Sequence, residues 1–333
     1  MGDAGYASYF GRIRDLERLQ TPADTVSWME RYAPADRAYE YVLYLGCNIL
    51  RTPYIAHDIV SVFRALGLDF AAMGGVQFCC GIPWEQNGDT SQATKVGRRT
   101  VARITDYKPK VLVMWCPSCN VHFTDAVLQR EGPLDCEIVH TPALLARLAA
   151  AGTVPWERPV HDRVVVHAHQ GRDDHGTGRE RAAADAEAVA ALLGHVPGIE
   201  VARVVVSPPV FDYDCGPVSA WMPPDELRRE QDRVREEAMA SGATTLVTIS
   251  HACHREWCGR SSADLSVRNY SSIVAEALGP EPMTDWLQRF RAEDDPERVV
   301  DMAGSPWRSH GLTRDEALAI ARGYFGAQRR MSP

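Results

Sequence analysis

The sequence predicts an α/β protein made of two pseudo-repeated halves, each with a parallel sheet covered by helices. Short runs of β-branched and aromatic residues alternate with amphipathic helical stretches, which is the pattern of parallel α/β folds. The loops after these runs also carry cysteines at nearly constant offsets, since Cys80 precedes Cys215 by 135 positions and Cys119 precedes Cys253 by 134. We infer an internal duplication from this recurrence.

The first half alternates predicted strands and helices along its whole length. The strand runs are YEYVLYLGC, LDFAAM, KVLVMWC and the segment from Leu134 to His140. Helices are predicted from Thr52-Pro53, from Asp89 to Tyr107, after Cys119 and at PALLARLAAAG. Ligand sites in such sheets gather beyond the carboxyl ends of the strands. We therefore expect metal-site loops there.

The second half repeats this order after the turn-rich segment AGTVPWERP. Its predicted strands are RVVVHAH, VARVVVSP and ATTLVTISHAC, with helices from Arg179 to Val196 and from Pro224 to Gly242. A polar, helical leader precedes the repeat, and two weak helical stretches, TDWLQRF and RDEALAIARGYF, follow it. The predicted divisions are a leader at 1–36, a first half at 37–152, a second half at 153–279 and a helical extension at 280–333.

Composition and charge exclude several classes of partner. The 36 basic and 44 acidic side chains leave a net charge of −8, so the chain has no general field for holding phosphate backbones, and we expect no nucleic-acid partner. The longest apolar runs have the length of strands, which argues against a direct membrane span. The first twenty residues carry charges and no apolar run of signal-peptide length, so we expect a cytoplasmic location.

The nine cysteines are the most informative feature of the sequence. In a reducing compartment, cysteines at adjacent or i,i+3 positions indicate metal ligands or redox groups rather than a disulfide framework. Thiolate is a soft ligand that suits iron–sulfur clusters and also zinc. Five cysteines in three loops of the first half could converge: Cys47, Cys79, Cys80, Cys116 and Cys119.

This spacing resembles the cysteine-rich CCG domain of the B-type subunit of heterodisulfide reductase and of related proteins in lactate, glycolate and sulfur metabolism. Gly81 and Pro117 also fall where the family pattern has them. The resemblance implies that all five thiolates hold one noncubane [4Fe–4S] cluster, and that any catalysis is disulfide or persulfide chemistry near Cys79 and Cys80. It makes 37–152 a CCG-type cluster-binding half and 153–279 a degenerate copy. Zinc on four of the thiolates is the competing interpretation.

The second half departs from the family pattern at three of five cysteine positions. Ala168 stands in the segment VVHAHQGR where the family has a cysteine, and the final pair begins with Ser250. Three interpretations stay open: a zinc site or altered cluster, a pocket in which Cys215 or Cys253 acts as a thiol, and a scaffold copy without a metal. The candidate ligands of a second site are Cys215, Cys253, Cys258, His167, His169, His251 and His254.

The resemblance implies an iron–sulfur oxidoreductase subunit of a heterodisulfide-reductase-like electron-transfer complex. Its partners would be flavin or iron–sulfur subunits of a hetero-oligomer, and its substrate a thiol, disulfide or other sulfur-bearing compound, with sulfur oxidation as the expected context. The alternatives are the iron–sulfur subunit of a lactate- or glycolate-type oxidising complex and a zinc-stabilised assembly subunit without redox work. His57, His122 and Cys136 are expected to be structural.

Overall fold

The computed structural model describes residues 3–29, 31–170, 178–207 and 222–326. These residues contain eight strands, four in each half of the chain. The strands of the first half are β1 Tyr41–Gly46, β2 Phe70–Gly74, β3 Val111–Met114 and β4 Glu137–His140. Those of the second half are β5 Asp162–His169, β6 Ile199–Ser207, β7 Thr245–Thr248 and β8 Ser266–Asn269.

The two sheets have the same topology. The first has the order β2-β1-β3-β4 and the second the order β6-β5-β7-β8, with every neighbouring pair parallel. Parallel strands need crossover connections, and helices supply them in both halves. The predicted α/β class with two parallel-sheet halves is therefore confirmed, while the limits of the predicted divisions stay predictions.

The helices lie between and beyond the strands. Those up to the end of the first half are α1 Asp3–Gln20, α2 Pro53–Ala65, α3 Ile82–Gln86, α4 Thr90–Asp106, α5 Pro117–His122, α6 Leu128–Glu131 and α7 Thr141–Ala150. Those that follow are α8 Gly178–Gly194, α9 Pro224–Ala240, α10 His251–Trp257, α11 Tyr270–Ala277, α12 Trp286–Glu293, α13 Pro296–Ala303, α14 Pro306–Ser309 and α15 Arg314–Tyr324. A π-helical segment, Phe123–Val127, joins α5 to α6.

The central strands of the first sheet are buried on both faces, because helices cover the sheet. Residues 42–45 of β1 and 112–114 of β3 have no solvent exposure. This explains why both strands are continuous apolar runs instead of alternating ones. Because the strands are buried, a ligand site has to lie in the loops that follow them. The candidate ligand cysteines of this half lie in those loops.

The terminal segments pack together across the second half. Leu16 and Leu19 of α1 share one apolar cluster with Phe290 of α12 and Leu318 of α15. The leader helix ends at Gln20, well before residue 36. The physical reason is Pro22, which disfavours helical geometry at Thr21.

Among the described residues, no helix is both long enough and apolar enough to cross a bilayer.

Candidate metal centre

Cys47 lies directly after β1, at the carboxyl edge of the first sheet. It precedes a short 3-10 turn, Asn48–Arg51, whose first three residues are buried. Gly46, the last residue of β1, has a left-handed backbone with φ +73°. A side chain is excluded here as well, because a Cβ on Gly46 would lie 3.0 Å from Cys119 Sγ. The close approach of this backbone to another loop therefore requires glycine.

Cys79 and Cys80 lie in the loop between β2 and α3. Several hydrogen bonds hold the backbone of this loop: Thr100 Oγ1 donates to the Cys79 carbonyl at 2.7 Å, and Tyr44 Oη donates to the Phe78 carbonyl. Gly81 follows with φ +99°, and a Cβ there would lie 2.7 Å from the Ala93 carbonyl oxygen. The turn after the two cysteines therefore requires glycine at position 81.

Cys116 and Cys119 belong to the amino end of α5. Cys116 is the N-cap residue but its side chain caps no backbone N–H, and Pro117 occupies the first turn. Proline is tolerated there because first-turn N–H groups have no partner within the helix. Cys119, three residues later, lies in the same turn, so both sulfur atoms are presented at the carboxyl edge of the sheet.

The three loops meet, and the five cysteines become neighbours. Cys47 Sγ lies 3.8 Å from Cys79 Sγ, and Cys80 hydrogen bonds with both Cys79 and Cys119. The Cβ of Cys116 lies 3.5 Å from the position that a Cβ on Gly46 would take. Every one of the five side chains is at most 4% exposed. The structure thus brings together all five cysteines that the sequence predicts as ligands.

Burial and mutual contact change the acidity of these thiols. For Cys79, a hydrogen bond with Cys47 lowers the pKa, but the contact with Cys80 and burial raise it well above its ordinary value. Burial also raises the pKa of Cys80, yet hydrogen bonds with Cys119 and Cys79 lower it to about 6. The pKa of Tyr44 is raised well above its ordinary value by burial and by four surrounding thiols. Two neighbouring sulfur atoms therefore differ in how readily they lose a proton.

Aromatic and imidazole side chains surround the cysteine loops. Trp84 of α3 stacks on Tyr6 of α1 at 4.9 Å between ring centroids, and Trp115 stacks on Tyr270 at 5.6 Å. His122 contacts the Cys80 backbone, and burial lowers its pKa. Its Nε2 is buried and has no hydrogen-bond partner among the described residues. His122, which the sequence predicts to be structural, therefore lies against the thiol site.

The residues proposed for a second site are only partly brought together. His167 Nδ1 lies 3.2 Å from Cys253 Sγ, and His167 Nε2 lies 2.7 Å from Ser207 Oγ. His254 contacts Thr248 and Asp285 instead. The predicted strand ATTLVTISHAC is shorter than expected, because α10 begins at His251 and carries Cys253 on a helix.

The remaining candidates of that set lie elsewhere. Cys258 belongs to the apolar cluster of the terminal helices, and its sulfur faces the Arg255 carbonyl at 3.8 Å. His251 is buried at the start of α10. Cys215 and the side chain of His169 lie outside the described residues. A metal in the second half therefore stays a prediction.

The donor set of the first half fits an iron–sulfur cluster by its chemistry. Five buried sulfur ligands are the donor type that such clusters take, and no oxygen or nitrogen ligand competes within this thiol set. In the part of the chain that the structure describes, no three His, Cys, Asp or Glu side chains surround a point that could hold one metal ion. The cysteines therefore fit a cluster by the type of their donor atoms and by their closeness to one another.

Sequence reasoning missed two side chains beside the thiols. Tyr44 lies inside β1 and has the pattern of an ordinary core residue, yet burial and four nearby thiols raise the pKa of its hydroxyl. His140 ends β4, and its ring lies 3.1 Å from the Trp115 carbonyl, one residue before Cys116. The position of His140 at the carboxyl end of a strand is a signal that could have identified it.

Comparisons with known proteins agree with this geometry. A family model of the cysteine-rich CCG domain matches residues 41–124. The D-type subunit of dihydromethanophenazine:CoB–CoM heterodisulfide reductase from Methanosarcina barkeri is 26% identical over 277 residues, covering 78% of this chain and 64% of that protein. The EtfAB:quinone oxidoreductase of Syntrophomonas wolfei is 24% identical over 143 residues, covering 42% of this chain and 20% of that protein.

Solved structures give a weaker likeness. A putative Asp/Glu racemase from Yersinia pestis covers 72% of this chain and 97% of its own, with 15% identity and a TM-score of 0.34. The chain spans less than two thirds of the length of the reductase protein that it matches, 64%. Residues 41–124 match the family model of the cysteine-rich CCG domain, and the resemblance to the heterodisulfide reductase family is confirmed, with a D-type subunit as the relative found.

Proposed function

We propose that this chain is the iron–sulfur subunit of a heterodisulfide-reductase-like electron-transfer complex, with a noncubane [4Fe–4S] cluster on the five thiols of the first half. The observation that carries the proposal is the convergence of five buried cysteines from three loops at one sheet edge. When bound, such a cluster accepts and donates single electrons.

The surroundings of the thiols support a redox role. The five cysteines lie in the main apolar core, where Trp84 and Trp115 exclude water from their loops. Exclusion of water and hydrogen bonds to sulfur are the means by which a protein sets a cluster's reduction potential. A buried thiol set is also protected from oxidation by solvent species, since susceptibility follows exposure.

The substrate in this proposal is a thiol, disulfide or other sulfur-bearing compound that reacts near Cys79 and Cys80. Reducing a disulfide to two thiols consumes two electrons and two protons. In the proposal, the electrons come from a flavin or iron–sulfur partner subunit and return to it when the reaction runs in reverse. The heterodisulfide reductase relative and the EtfAB:quinone oxidoreductase relative support this assignment. Sulfur oxidation in the cytoplasm is the context that we favour.

Anaerobic purification followed by iron, zinc and acid-labile sulfide analysis tests the proposal. We expect about four irons and a matching amount of sulfide per chain, as a [4Fe–4S] cluster requires. One zinc per chain without sulfide would instead support the assembly subunit without redox work. Co-purification from the native host would then identify the partner subunits and distinguish a sulfur complex from a lactate-type complex.

A further inference from the structure

The two halves share a buried polar contact at the edge of the thiol site. His140 is the last residue of β4 in the first half, and Asp185 lies on α8 in the second. His140 Nδ1 and Asp185 Oδ1 are 2.5 Å apart. The side chains are only 6% and 8% exposed, so water does not screen the contact.

The other ring nitrogen of His140 points at the cysteine loop. His140 Nε2 lies 3.1 Å from the carbonyl oxygen of Trp115. Asp185 and this carbonyl lie at opposite nitrogens of the ring, so the imidazole bridges them. The result is a continuous connection from α8 of the second half to the peptide bond between Trp115 and Cys116.

The preceding peptide bond, between Met114 and Trp115, is itself held on both sides. The Trp115 N–H donates to the Tyr44 carbonyl at 2.9 Å, which ties it to β1. One residue earlier, the Met114 carbonyl accepts from Thr141 Oγ1 at 2.9 Å. His140 supplies the hydrogen bond to the Trp115 carbonyl itself. Because Cys116 is the next residue, the orientation of this peptide sets the direction in which its Cβ and sulfur point.

We propose that His140, held by Asp185, is a positioning residue that orients Cys116 for cluster binding. Side chains outside the ligand set that hold the ligands in orientation are a general feature of metal sites, and their loss weakens metal binding about 10- to 100-fold. The inference rests on the proposed function, and it gives the second half a role at the cluster although most of its own cysteines are replaced.

Two substitutions of His140 each keep one of its two hydrogen bonds and remove the other. His140→Asn places an amide nitrogen near the position of Nδ1, which keeps the contact with Asp185 and loses the one with the Trp115 carbonyl. His140→Gln places its amide nitrogen near the position of Nε2 and keeps the carbonyl contact. Ser272→Ala is the matched control, because Ser272 Oγ donates to buried Asp58 Oδ2 at 2.5 Å between α11 and α2, a hydrogen bond that contacts none of the five cysteines.

The measurement is the rate of iron release to a chelator from each anaerobically purified variant, together with the electron paramagnetic resonance spectrum of the reduced protein and its thermal unfolding. We expect His140→Asn and Asp185→Ala to release iron about tenfold faster than the parent and to change the spectrum. His140→Gln and Ser272→Ala should stay within about twofold of the parent rate, well below the loss expected for a missing positioning contact.

Equal release rates and spectra in His140→Asn and His140→Gln would overturn the inference, because the carbonyl contact would then have no effect on the cluster. Equal rates in Asp185→Ala and Ser272→Ala would overturn it too, since any lost hydrogen bond between the halves would then have the same effect. Absence of iron and sulfide from the parent chain would contradict the proposed function itself. The two failures are therefore distinguished by the parent protein.

Discussion

The two halves share one strand order but fill the same sheet edge with different chemistry. Cys119 and Cys253 are each the third residue of the helix after the third strand. In the first half, the residue before that helix is Cys116, whose side chain caps no N–H. In the second half it is Ser250, whose hydroxyl accepts from the Cys253 N–H at 3.2 Å. The N-cap position of this helix thus carries either a candidate ligand or a structural cap, depending on one residue.

Strand register extends this comparison. Tyr44 pairs with Met114 in the first sheet, and His167 pairs with Thr248 in the equivalent place of the second. Burial and four thiols raise the pKa of Tyr44, whereas His167 contacts Cys253 and Ser207. The comparison teaches that the fold forms without cysteines at these positions, because hydrogen-bonded side chains can take their place at the same edge of the sheet.

Cys80→Ser should have the largest effect of these substitutions, and the effect should be confined to the first half. We expect complete loss of the cluster's absorbance, because Cys80 contacts both Cys79 and Cys119 at the centre of the thiol set. Absorbance and iron analysis measure the loss of the cluster. Circular dichroism should show that the second half is still folded. Cys136→Ala is the control, since Cys136 lies before β4 and is only partly buried. Unchanged absorbance in Cys80→Ser would show that the ligand set is misassigned.

Gly46→Ala should reduce cluster content and stability together. The new Cβ would lie 3.0 Å from Cys119 Sγ, at a residue with φ +73°. Gly88→Ala is the matched control, because Gly88 has φ +78° but no heavy atom within 4 Å of the new Cβ. Both variants should lose about 1 to 2 kcal/mol from the positive φ, and only Gly46→Ala should lose iron. Equal iron content in the two would contradict the predicted closeness of the loops.

Cys253→Ala tests whether the second half uses its thiol for the cluster. We expect the free energy of unfolding to fall by about 1 to 3 kcal/mol, because the substitution removes a buried sulfur and its contact with His167. Burial raises the pKa of Cys253, which agrees with a structural thiol. Chemical denaturation measures the stability and iron analysis the cluster content. Loss of iron would show that this thiol takes part in metal binding.

Ser250→Ala should have the smallest effect. Loss of an N-cap hydroxyl costs about 1 kcal/mol, and we expect this decrease in unfolding free energy without any change in iron content. Ser250→Asp should retain the stability, because its carboxylate can accept from the same backbone N–H. Denaturation midpoints of the two variants provide the measurement. If the two lose equal stability, Ser250 does not act as a cap.

The fold was largely predictable because its signals are local. Runs such as VLYLG and VLVM are apolar enough to be buried on both faces, and helices alternate with them, so the parallel class follows. Element ends were less predictable. The helix α10 begins at His251, inside a segment that resembles a strand, because Ser250 caps it. The leader helix ends at Gln20, before Pro22, and two further helices, α13 and α14, occupy the carboxyl-terminal extension.

By itself, the sequence determined the parallel α/β class, the two halves and the five thiols of the CCG domain, since spacing along the chain encodes each of them. Only the tertiary structure decided which side chains meet across the halves. It separates Cys258 from Cys253, pairs His167 with Cys253, and connects Asp185 through His140 to the peptide before Cys116. The physical reason is that such contacts depend on how helices and sheets pack, and this is fixed by burial of residues far apart in the sequence.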